Sequence, residues 1–85
     1  MKLILTTALC LAAPLAASAL PAVGDQIGTD PATATTALEA AGCMGPKFEA
    51  EDGKIEAKCH DAAGARWEIY IDPQSGAVAQ VKADD

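Results

Sequence analysis

The sequence predicts an α+β domain: one N-terminal helix packed on an antiparallel meander of three to four strands, closed by one disulfide. Three observations predict it. Apolar residues recur with a helical period from Ala32 to Ala41, and the period changes to two after Met44. Turn residues at Asp52-Gly53, Ala62-Ala63-Gly64 and Asp72-Pro73-Gln74-Ser75-Gly76 separate the alternating runs. Two cysteines, Cys43 and Cys59, fall inside this region, beyond an N-terminal stretch with the marks of an export signal.

In that stretch Lys2 supplies a positive n-region, Leu3 to Leu15 is almost wholly apolar, and Ala17-Ser18-Ala19 has the small-x-small pattern of a cleavage site. Residues 1–19 therefore read as a signal peptide cut after Ala19. The apolar run is shorter than the roughly 20 residues a spanning helix needs, so no membrane insertion is expected once the signal is removed. Cys10 is not read as a lipidation site, because the bulky Leu9 precedes it. Cleavage takes away one of six basic groups, Lys2, and leaves twelve acidic ones, a net charge of −7. Such a surface repels phosphate backbones and anionic lipids, which argues against nucleic acid and membrane partners. A periplasmic or secreted location is expected, with the chain a monomer.

An oxidising compartment joins paired thiols, and Cys43 and Cys59 are the two that survive cleavage. A bridge across this spacing removes unfolded-state entropy worth about 3 kcal/mol. A core below about 70 residues rarely supplies more than ~3–5 kcal/mol, so the bridge matters. A redox site would favour Cys-x-x-Cys, and zinc would need four ligands.

Residues 20–29, with Pro21, Gly24 and Gly28 and no sustained period, read as a flexible lead-in to a domain over 30–85. Asp30 suits a helix N-cap and Pro31 the first helical position. Ala34, Ala37, Leu38 and Ala41 share one face, and Gly42 suits the helix end. Phe48 and Ala50, then Ile55, Ala57 and Cys59, then Trp67, Ile69 and Ile71 form the inward faces of three strands. A last strand is expected from Ala77 to Lys82, although Val78 and Val81 do not share a face under strict alternation. Asp84-Asp85 reads as a frayed tail.

The second hairpin's register follows from its loop. Pairing Asp61 with Ala65 sets Cys59 opposite Trp67, Ala57 opposite Ile69 and Ile55 opposite Ile71, so inward residues meet inward partners. The same register opposes Lys58 to Glu68 and Lys54 to Asp72 on the other face. The first hairpin stays open: a two-residue turn opposes Glu49 to Glu56, whereas a four-residue loop opposes Glu49 to Lys54 and Lys47 to Glu56. Leu38, Phe48, Ile55, Trp67, Ile69 and Ile71 are the expected core.

No catalytic constellation is evident. His60 falls on an outward face near a loop, and Ser75, the one serine beyond the signal, has no histidine near it in sequence. Glu49-x-Glu51-Asp52 lacks the ligand count of a calcium site. No cofactor or metal set is expected, although small-ligand or cation binding by the acidic hairpins is an alternative function. The candidate partner surface is Tyr70 with Glu68, Lys58 and Glu56 on the outer sheet face, since an exposed tyrosine can anchor a partner. Alternatively Tyr70 covers its cross-strand neighbour Glu56.

The helix ending at Gly42, the Glu51-Asp52-Gly53-Lys54 turn, the alternation Trp67-Glu68-Ile69-Tyr70-Ile71 and the closing Asp72-Pro73-Gln74-Ser75-Gly76 before Val78 resemble the PepSY domain family. The likeness is greatest to small stand-alone secreted members. It covers about fifty residues and rests on turn chemistry and alternation. The resemblance implies an exported, non-enzymatic binding or regulatory module. Its partner would be a protein or peptide, such as a peptidase or another envelope protein. The family carries no catalytic residues to transfer, and the cysteine pair is a departure from its broad pattern.

Overall fold

A computed structural model describes residues 20–84; the expected signal peptide over residues 1–19, Cys10 within it, and Asp85 lie outside the described residues. Helix α1 spans Pro31–Ala40, and strands β1 (Met44–Glu51), β2 (Lys54–His60), β3 (Arg66–Ile71) and β4 (Val78–Ala83) follow. The strands form one sheet in the order β1-β2-β3-β4, every neighbouring pair antiparallel. The expected helix-on-meander architecture is the one observed, with four strands.

Asp30 caps α1 as its chemistry predicts, Oδ2 accepting the Thr33 N–H at 3.0 Å. At the other end the Cys43 N–H donates to the Leu38 carbonyl at 2.9 Å and the Gly42 N–H to the Glu39 carbonyl at 3.0 Å. These two bonds are the Schellman pattern. They turn the chain so that Cys43 enters the core beside the sheet, where it is bonded to Cys59 on β2. The disulfide therefore fastens the end of the helix to a central strand.

The first hairpin is the two-residue form. Asp52 and Gly53 both have positive φ, 51° and 77°, the backbone of a type I′ turn whose twist matches the strands. Glu49 consequently faces Glu56, and Lys47 faces Lys58. Turn geometry thus prevails over charge pairing. The second hairpin has the predicted register, from His60 opposite Arg66 to Ile55 opposite Ile71. Lys58 and Glu68 are opposed as expected, but the ion pair Glu68 makes is with Lys82 of β4, at 3.9 Å.

A bulge settles the last strand. Tyr70 pairs with Gln80 and Ile71 with Val78, so Ala79 is the extra residue. The slip restores Val78 to the inward face with Val81, and Val78 is buried in the core.

The core consists of Leu38, Ile69 and Ile71, as expected, together with Ile27, Ala34, Cys43, Ala57, Cys59 and Val78. Phe48, Ile55 and Trp67 pack against it half-buried rather than within it. A ten-residue helix is only about 15 Å long, so it covers the centre of the sheet and leaves the ends less enclosed.

Residues 20–29 are not the loose lead-in expected. Gln26 bridges Ala77, Ile27 and Gly28 donate their N–H groups to the Gly76 carbonyl, and Asp25 and Val78 are joined through the Asp25 carbonyl. Pro21 and Ile27 are buried. The segment adds a short fifth run beside the start of β4. Asp84, expected to fray, donates its N–H to the Arg66 carbonyl at 3.0 Å.

Candidate functional site

The helix covers one face of the sheet, and side-chain alternation sends every second residue to the other. The registers arrange that open face in cross-strand rows. One row runs Glu49, Glu56, Tyr70, Gln80; the next runs Lys47, Lys58, Glu68, Lys82. Tyr70, Glu68, Lys58 and Glu56, read from sequence as a candidate surface, are therefore neighbours in two adjacent rows.

Tyr70 holds the patch together. Its hydroxyl lies 2.9 Å from Glu68 Oε1 and 3.1 Å from Glu56 Oε2, and its single hydrogen is shared between the two carboxylates. Lys82 Nζ sits 5.8 Å from the centre of the Tyr70 ring, within cation–π range, while also pairing with Glu68. The hydrogen bond to Glu68, followed by desolvation and the Glu56 contact, pushes the phenol above its usual range. Tyr70 is half-buried rather than fully exposed, so it does cover Glu56 as well as present a ring edge.

Glu56 is the departure from a simple surface. It is 3 % exposed, because β2 is an interior strand and the long side chains of the flanking rows close over it. Glu51, on the same hairpin, has its carboxyl raised above the ordinary range, first by the charge of nearby Glu56. Glu49 and Glu51 were read from sequence as part of an acidic hairpin and not of this surface, and Gln80 and Lys82 were not singled out. The register of the first hairpin and the bulge in β4 are what bring them to the patch.

Two shallow depressions flank the patch. Lys47, Lys58, His60 and Arg66 line one of about 410 Å³, giving this acidic chain a local basic end. Glu51, Lys54, Tyr70, Gln80 and Lys82 line another of about 450 Å³. On the helix side, Pro31, Ala34, Phe48, Ile55, Ile71 and Pro73 line an apolar cleft of about 140 Å³. His60 and Ser75 stand at opposite ends of β3, so no nucleophile–base pair forms between them.

These features define a small disulfide-closed α+β module with one face of its sheet left uncovered by the helix. Residues 2–82 match the family model described as peptidase propeptide and YPEB domain, and the chain belongs to that PepSY family. Domains of this family are propeptide and regulatory modules rather than catalytic domains. No curated protein and no solved structure matches the chain. Among the described residues no helix is long and apolar enough to cross a membrane.

Proposed function

We propose that the protein is an exported, monomeric regulatory module without enzymatic activity of its own, which binds a peptidase or another envelope protein through its open sheet face. The observation that carries this reading is the Tyr70 patch: a half-buried tyrosine held by two carboxylates and a lysine, in a face the helix leaves uncovered. A tyrosine fixed in this way loses little conformational freedom on docking, which favours an anchoring role. The charged rows around it supply orientation and partner selection more than raw affinity. Family membership directs the choice of partner toward peptidases, and the disulfide agrees with work outside the cytoplasm.

Mixing the purified protein with a panel of secreted and envelope peptidases tests the reading. Co-elution with one of them and a change in its rate are expected. Tyr70→Ala and Lys58→Glu should weaken that complex by roughly tenfold or more, as loss of an anchor does. Unchanged rates and no complex across the panel would overturn it.

A further inference from the structure

Partner binding does not account for the arrangement of Glu49, Glu51 and Glu56. The Asp52-Gly53 turn forces Glu49 directly opposite Glu56 and brings Glu51 onto the same face. One carboxylate oxygen from each of the three lies within 4.8 Å of the others. Like charges directly opposite each other destabilise a strand pair. Lys82 with Glu68 is the one ion pair among the described residues, so no basic side chain lies within ion-pair distance of the three.

Glu56 provides the second observation. Its Oε2 accepts from Tyr70, while Oε1 is enclosed and has no hydrogen-bond partner. A buried carboxylate oxygen in that condition is costly unless a donor or a cation meets it. Ionised Glu49 and Glu51 can only accept, and the hydrogen of Tyr70 is already divided between Glu56 and Glu68.

We propose that Glu49, Glu51 and Glu56 bind a divalent cation of calcium's size on the outer face of the first hairpin. Three carboxylates are hard ligands, suited to calcium or magnesium rather than to a thiophilic metal. Calcium takes several carboxylates in flexible geometry, whereas magnesium sheds water reluctantly and is usually held by one or two, so three converging carboxylates favour calcium. Glu49 and Glu51 are exposed, which leaves the remaining coordination positions to water. Glu49-x-Glu51-Asp52 has too few ligands alone; Glu56, delivered from the next strand by the register, is the ligand no linear motif contains. Lys54, paired with Glu51 across the turn, is the competing cation the metal has to displace from the local field.

The test is a titration of the ¹⁵N-labelled protein with calcium chloride to about 10 mM, roughly ten times the weakest affinities of extracellular calcium modules. Magnesium chloride, and sodium chloride at matched ionic strength, serve as controls. Saturable amide shifts centred on Glu49, Glu51 and Glu56, with a melting temperature that rises with calcium, are expected. Glu49→Gln, at an exposed position, should not lower the metal-free melting temperature, since it removes a like charge opposite Glu56, and should weaken calcium binding at least tenfold. Glu56→Gln should abolish binding, and Glu51→Gln replaces it in the test where that variant does not fold. Shifts reproduced by sodium, a Glu49→Gln protein that binds as the parent does, or an equal response to magnesium would overturn the proposal.

Discussion

The indole N–H of Trp67 donates to Asp61 Oδ2 at 3.0 Å, and the other oxygen of the same carboxylate accepts the Ala63 and Ala65 N–H groups at 3.0 Å and 2.9 Å. One aspartate thus organises the β2–β3 loop and positions the chain's single tryptophan. The Trp67 bond foremost, then the backbone bonds, lower the Asp61 pKa from its ordinary 3.8. A carboxylate whose pKa is lowered by folding contributes stability above 3.8, and that stability is lost as pH falls through the folded value. Asp30, bonded by Thr33, and Asp72, bonded by Ser75 and Gln74, are lowered in the same sense. We expect Asp61→Asn to melt below the parent at neutral pH, with the difference shrinking as pH drops below about 4. Trp67 fluorescence during acid titration measures it; a constant difference across the range would exclude this coupling.

Gly76 meets Gly28 backbone to backbone, and a Cβ added to Gly76 would lie 2.9 Å from the Gly28 carbonyl carbon. Its φ of 76° also disfavours any side chain. Gly76→Ala should therefore release residues 20–28 and destabilise by more than about 1 kcal/mol. Amide exchange at Ile27 and Gly28, whose N–H groups both donate to Gly76, is expected to quicken more than exchange within β2.

Cys43 is fully buried and Cys59 is 5 % exposed, so reductant reaches the bond chiefly through opening of the domain. Replacing both by serine should cost about 3 kcal/mol through unfolded-state entropy, apart from the cost of burying two hydroxyls. Comparing melts of the oxidised and reduced protein checks this, with mass spectrometry reporting the thiols. Identical melts would contradict a stabilising role for the bridge.

Leu38 is the fully buried side chain through which α1 meets the sheet. Leu38→Ala should cost about 2–5 kcal/mol, comparable with the whole yield of a core this small. The variant is expected to retain cooperative unfolding when oxidised and to lose it when reduced. Denaturant titrations under both conditions measure the outcome.

Much of this architecture was legible in sequence because its causes are local. A capping aspartate followed by proline, a helix-ending glycine and a type I′ dipeptide act through backbone preferences within a few residues. The second hairpin's register was readable as well, since hydrophobic alternation and loop length agree there. At the candidate surface, Tyr70, Glu68, Lys58 and Glu56 could be named from alternation alone. The burial of Glu56 could not, and its grouping with Glu49 and Glu51 waited on a register that turn length and charge pairing left open between them.

Cys43, Cys59 and the order of helix and strands were settled by residue chemistry and period. Tertiary structure decided the rest: Ala79 as a bulge that returns Val78 to the core, and the docking of Ile27 against Gly76. The side chain of Gln26 bonds the Ser75 carbonyl across 49 positions, a partnership no local pattern encodes. Such contacts depend on which surfaces remain unpaired after the sheet has formed, and that is a property of the assembled fold.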